Sequence, residues 1–261
     1  MTSTPGFANP PVTEVAIGVF FDLIPDLVNG HFGQFWERHK DDWPTSRDAR
    51  VLPYQLEQFD DSPVFGQLNL HFSQDPEVRF QFLDISETRI LQLQKTAFIY
   101  NWRKAEEDYP RFHVLNDEFT NWYTKFQAFA QDRNLSLSSP RQWEVTYVNS
   151  IPKGVLWESV QDWESVLCGP FLFPDPSYKM KLESVVSNWS YVIGENDGRL
   201  RASVSHAKDA EPETLTIKLS TRGPIKTSVE DGLKIGHNAI VTFFKDITSG
   251  KAHSYWELED E

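Results

Sequence analysis

The sequence predicts an α+β protein made of two tandem halves, each ordered strand, helix, three strands, helix, with antiparallel sheets covered by helices on one side. Three observations predict it. Several segments carry apolar residues at spacings of three and four, as helices with one buried face do. Others alternate apolar and polar residues, as half-buried strands do. The order of these elements then repeats, equivalent elements lying roughly 110 to 130 residues apart, which points to an internal duplication. The halves are expected at 1–134 and 135–261, packed as one body. Of the 261 residues 39% are hydrophobic, with 19 Phe, 9 Trp and 8 Tyr, enough for one large core or two smaller cores in contact, much of it aromatic.

The first half opens on a Pro-rich stretch through Pro11. Val12 to Phe21 is short and rich in Val, Ile and Phe, so it reads as a buried strand. Leu27, His31, Phe32, Phe35 and Trp36 make the stripe of a helix that ends near His39, with Pro44 closing it. Val51 to Phe59 and Val64 to Phe72 are extended candidates around the turn Asp60-Asp61-Ser62-Pro63. Arg79 to Ile85 and Arg89 to Trp102 read as strands joined by Ser86-Glu87-Thr88. In the second of these the apolar parity moves from Leu91 and Leu93 to Phe98, Tyr100 and Trp102, which predicts a bulge between Lys95 and Ala97. Phe112, Leu115, Phe119, Trp122, Phe126 and Phe129 follow as the strongest helical stripe.

Arg133 to Pro140 reads as the connection between halves. Trp143, Val145, Tyr147, Asn149 and Ile151 then alternate as a strand, and Val155 to Leu167 carries a weaker helical stripe. Pro170, Pro174 and Pro176 break the chain. Leu182 to Ile193, Leu200 to Ala207 and Thr214 to Ser220 read as strands, separated by Glu195-Asn196-Asp197-Gly198 and by 208–212. Leu233, His237, Ile240, Phe244 and Ile247 mark a last helix, stopped at Ser249-Gly250. Trp256 beyond it is expected to dock on the body.

A net charge of −13 from 25 Lys and Arg against 38 Asp and Glu repels a phosphate backbone, so no nucleic-acid partner is expected. It favours a basic protein partner instead, through steering. The single cysteine, Cys168, forms no internal disulfide and reads as a small buried hydrophobe. No signal-like opening and no apolar run of about 20 residues is present, so neither a membrane nor export is expected, and the location reads as cytoplasmic.

No Gly-x-Ser-x-Gly, Gly-x-Gly-x-x-Gly or Gly-x-x-x-x-Gly-Lys motif occurs, and no cofactor is expected. The best ligand-binding candidate is the group Tyr100, Asn101, Trp102, Arg103, Lys104 and Arg111, with Tyr109 and His113 beside it, where cations beside aromatic faces suit an anionic or planar ligand. Its competing reading is a surface charge network with Glu106, Glu107 and Asp108. His237, His253 and Glu257 are a weaker candidate for a two-histidine, one-carboxylate metal set. A hydrogen-bonded core histidine is the stronger reading of His237, which lies on an apolar helical stripe.

Blocks along the chain resemble a sporadically distributed bacterial family without an assigned activity. They include Asn9-Pro10-Pro11-Val12-Thr13-Glu14-Val15, Gly33-Gln34-Phe35-Trp36, Tyr100-Asn101-Trp102-Arg103-Lys104, Tyr109-Pro110-Arg111-Phe112, Glu144-Val145-Thr146-Tyr147-Val148-Asn149, and the closing His237, Phe244, Thr248, His253 and Trp256. The resemblance implies no chemistry, and the family's patchy distribution suggests an accessory of defence or toxin–antitoxin loci. The expectation is therefore a non-catalytic binding or interaction protein with a protein partner or a small ligand between its halves. The alternative is an enzyme, possibly metal-assisted in mechanism, with its site in the same cleft.

Overall fold

The computed structural model describes residues 4–53, 56–58, 78–105, 108–169, 183–207 and 211–259. The N-terminal half contains β1 (Gly6–Phe7), β2 (Val12–Phe20), α1 (Asn29–Arg38), β3 (Thr45–Ala49), β4 (Arg79–Leu83), β5 (Arg89–Gln94), β6 (Ala97–Arg103) and α2 (Phe112–Asp132). The C-terminal half contains β7 (Gln142–Pro152), a 3-10 turn (Val160–Ser165), β8 (Ser184–Ile193), β9 (Gly198–Ala207), β10 (Thr214–Pro224), α3 (Val229–Ile247), α4 (Gly250–Tyr255) and β11 (Leu258–Glu259).

Among the described residues the strands form one antiparallel sheet in the order β3-β4-β5-β6-β2-β7-β10-β9-β8, plus a two-stranded pair of β1 with β11. The α+β class is therefore as expected, but the halves share one sheet instead of each closing its own. They meet at β2 and β7, whose backbones pair from Val12–Asn149 to Phe20–Gln142. Outward from that seam the order is β2-β6-β5-β4 on one side and β7-β10-β9-β8 on the other. The N-terminal half adds a further strand, β3, at its edge.

Paired residues of antiparallel strands share a face. Val15, Ile17 and Val19 of β2 lie opposite Trp102, Tyr100 and Phe98 of β6 and opposite Tyr147, Val145 and Trp143 of β7. Phe98 packs on Phe119 and Phe126 of α2, with ring centroids 5.8 and 5.4 Å apart. Trp143 lies under Gly232 and Gly236 of α3, where a Cβ at Gly236 would come within 2.5 Å of the indole. Both long helices thus cover one face, and the core is continuous beneath them.

The opposite face mixes a small apolar cluster of Phe20, Ala97 and Ile99 with polar side chains. Gln92 donates to Asn101 at 2.5 Å, and Asn101 donates to Glu14 at 2.8 Å, across three strands. The segment after β3 crosses this face and is stapled by side chains: Gln94 bonds Leu52 N and O, Gln142 accepts from Glu57 N, and Glu57 pairs with Arg199 and Arg201. The described residues 51–53 and 56–58 are consequently no strand, because a chain that runs across strands finds side chains in place of a ladder. The remainder of that expectation, with Val64 to Phe72, lies outside the described residues, as do the prolines at 170, 174 and 176.

Three further expectations change. The parity shift after Leu93 marks a two-residue hairpin, not a bulge: Gln94 pairs with Ala97, so odd positions of β5 face even positions of β6. The helix expected over Val155 to Leu167 is a 3-10 turn seated by Ser159 and Asp162, with Trp163 as its buried anchor. Cys168 is exposed, its thiol donating to Thr248 O at 3.1 Å. Trp256 docks as expected, buried against Phe7 and Phe244 at 6.2 and 5.3 Å. Among the described residues no helix is long and apolar enough to cross a membrane.

Candidate functional site in the seam between the halves

Where β7 runs out from under the helices, a cavity of about 500 Å³ opens between the two halves. The N-terminal half contributes the strap Thr4–Phe7, Pro10, Val12, Tyr109 and the start of α2. The C-terminal half contributes Tyr147 and Asn149 of β7, the His237 to Phe244 stretch of α3, and Glu259. Most of this lining is apolar, with a few polar groups converging on it, as in small-molecule sites generally.

Each polar group is held by an identifiable device. Ser228 caps α3 by accepting from Asp231 N at 3.0 Å, and Glu230 and Asp231 sit favourably in its first turn. The helical spacing of Leu233, His237, Ile240 and Phe244 then turns His237 toward the sheet. Its ring stacks on Phe112 with centroids 4.1 Å apart and planes 1° from parallel. Tyr147 lies on the helix-side face of β7, its hydroxyl 3.0 Å from His237 Nδ1 and 2.8 Å from the Tyr109 hydroxyl. Three residues distant in sequence thereby form one hydrogen-bonded chain along the cavity wall.

Burial fixes the charge state of this chain. It lowers the His237 pKa to about 4, so the imidazole is neutral near pH 7. It raises both phenols above their ordinary value. A neutral His237 bonded through Nδ1 leaves Nε2 for a ligand, as a donor when Tyr147 donates to Nδ1 and as an acceptor when Nδ1 donates.

Arg111 supplies the cation. It precedes α2 with φ of 73°, a left-handed conformation that costs a side-chain-bearing residue on the order of 1 kcal/mol. Its guanidinium donates to Phe7 O at 2.8 Å and lies 3.8 Å from Glu259, tying the strap and the tail to the mouth of α2. No side chain caps α2 and its first turn holds no acid, so Arg111 and the helix N-terminus favour an anion there, offset in part by Glu259, which also lines the cavity.

Of the group expected to bind a ligand together, Arg111 reaches this cavity, with the neighbouring Tyr109 and His113. Strand alternation separates the others. Tyr100 and Trp102 are buried under the helices, Tyr100 donating to Glu118 at 2.9 Å and Trp102 packing on Tyr109 at 5.5 Å. Asn101 belongs to the polar chain on the opposite face, Arg103 donates to Glu87 O, and Lys104 is exposed at the strand end. They form no common patch.

The weaker metal set does not assemble either. His253 is engaged by Thr248 Oγ1 at 2.9 Å and lies near Lys245 O, while the carbonyl of Glu257 accepts from Ala8 N. Among the described residues no three His, Cys, Asp or Glu groups could hold a metal ion. Sequence reasoning named Tyr109 beside Arg111 but missed Tyr147 as a site residue. The available signal was a tyrosine in the apolar alternation of Trp143, Val145 and Tyr147.

Comparison of the chain with family models, with curated proteins and with solved structures finds no match.

Proposed function

We infer that the protein is a non-catalytic binding protein whose seam cavity takes a small molecule with an apolar body and a polar or acidic head. The observation that carries this reading is the cavity itself, about 500 Å³ of mostly apolar wall with Tyr109, Tyr147, His237 and Arg111 converging on it. The apolar body lies along Phe7, Val12, Ile240 and Phe244. The head takes its hydrogen bond from His237 Nε2 and its counter-charge from Arg111.

Binding is favoured over catalysis in the same cleft by the state of its titratable groups. A general acid or base works best with a pKa near the working pH. His237 is held well below that range and both tyrosines well above it. Stacking on Phe112 also fixes the imidazole, as suits recognition more than proton shuttling.

A thermal-shift screen of small carboxylic acids with aromatic or aliphatic bodies tests the reading. Compounds that raise the melting temperature of the wild type, by mass action on the native state, should leave Val241→Trp unmoved because the new indole fills the cavity. A compound that shifts both proteins equally binds elsewhere.

A further inference from the structure

The seam cavity holds a cation and an anion side by side, and the chain builds both into place. Trp256 anchors the tail against Phe7 and Phe244, and Glu257, with φ of 55°, turns the chain back so that β11 runs beside β1. That register sets Glu259 against Gly6. A Cβ at position 6 would lie 3.1 Å from Glu259 Oε2, so the glycine leaves room for the carboxylate to rest over the strap. Arg111 meets it from the start of α2. Its guanidinium is held by Phe7 O at 2.8 Å and stands 3.8 Å from Glu259 Oε2.

Neither charge is used up by the other. Their separation of 3.8 Å exceeds the length of about 2.7 to 2.9 Å that a charge-assisted hydrogen bond takes. Both side chains keep nearly half of their surface open, 42% for Arg111 and 48% for Glu259, and both line the cavity. A ligand with an acid alone would set its carboxylate beside Glu259, and one with an amine alone would set its ammonium beside Arg111. Each like-charge contact works against binding. A ligand that carries both charges on one carbon satisfies the pair at once. Rings of Phe7, Tyr109, Phe112, Tyr147 and Phe244 line the same cavity, which suits a flat ring in edge-on or stacked contact.

We propose that the ligand of the seam cavity is a free α-amino acid with an aromatic side chain, its carboxylate on Arg111, its ammonium on Glu259 and its ring among the aromatic walls. The proposal rests on the seam reading above and narrows it from an acidic head to a zwitterionic one. Glu259 is then the residue that sets specificity, selecting for the ammonium and against simple acids. A peptide does not fit the same placement, because an internal residue carries neither charge and a terminal residue only one of the two.

Isothermal titration calorimetry of the full chain with three probes that share one ring tests this: L-phenylalanine, 3-phenylpropionate, which lacks the ammonium, and phenethylamine, which lacks the carboxylate. The wild type should bind L-phenylalanine about tenfold tighter than either of the others, the contribution of one charge-assisted hydrogen bond. Glu259→Gln should weaken L-phenylalanine and strengthen 3-phenylpropionate until the two bind alike, whereas a strap merely loosened by the substitution would weaken both. Equal binding of L-phenylalanine and 3-phenylpropionate by the wild type, or a joint loss in Glu259→Gln, overturns the amino-acid assignment and leaves the cavity a site for acids. No binding by any of the three overturns the proposal as well. Binding that persists unchanged in Val241→Trp puts the probes outside the seam and overturns the reading on which the proposal rests.

Discussion

The Tyr147 hydroxyl lies 3.0 Å from His237 Nδ1, joining β7 to α3 through a bond between two side chains 90 residues apart. Tyr109 extends it to the segment before α2 at 2.8 Å. Tyr147→Phe removes the middle member and leaves two buried polar groups without partners. The expected cost is about 1 to 3 kcal/mol in urea denaturation. A loss of only a few tenths would mean that water satisfies the chain equally well.

The His237 imidazole gives a pH signature. Its pKa is lowered from 6.5 to about 4 by burial, so the unfolded chain binds a proton between those values while the folded chain does not. Stability is therefore full above about pH 6.5 and falls as pH drops toward 4, by up to roughly 3 kcal/mol for this group. His237→Gln should flatten that part of the profile relative to wild type. Parallel profiles for the two proteins would remove His237 as the cause.

Gly236 sits where α3 crosses Trp143, and a Cβ there would meet the indole at 2.5 Å and Thr221 Oγ1 at 2.7 Å. Alanine is the better helix former by about 1 kcal/mol. Overpacking against a buried tryptophan costs about 1 to 3 kcal/mol, so Gly236→Ala should destabilise on balance. An increase in melting temperature would show that the helix can lift off the sheet without penalty.

The tail holds the cavity's strap. Trp256 packs on Phe7, Asn9 N donates to Trp256 O, and β11 pairs with β1. Trp256→Ala should cost about 3 to 5 kcal/mol. Truncation after Gly250 should lower the melting temperature by several degrees and also abolish thermal shifts by cavity ligands, because Gly6 and Phe7 lose their partners. A truncated protein that melts like the full chain would show the tail to be dispensable.

The long helices were legible because the residues that bury each face lie three and four apart, so α2 and α3 are local patterns. The strand β3 was not, since Thr-Ser-Arg-Asp-Ala alternates nothing apolar and becomes a strand only by pairing with β4. The hairpin at Lys95-Thr96 wrote a visible signature, a parity shift, that fits a bulge equally well without knowledge of the partner strand. Site residues divided in the same way. His237 stood out as a polar residue on an apolar stripe, whereas its connection to Tyr109 and Tyr147 depends on β7 pairing with β2 and packing beneath α3. The ligand group expected around Tyr100 to Lys104 failed because consecutive strand residues face opposite sides of the sheet.

The most direct measurement of the central claim is a fluorescence titration with 1-anilinonaphthalene-8-sulfonate, an apolar ring system bearing one anionic head. The seam cavity predicts saturable binding of one probe per chain to the wild type, weakened by Arg111→Gln and lost in Val241→Trp. Binding of equal strength to wild type and Val241→Trp, or no saturable binding to the wild type, would contradict the assignment of the seam as a ligand site.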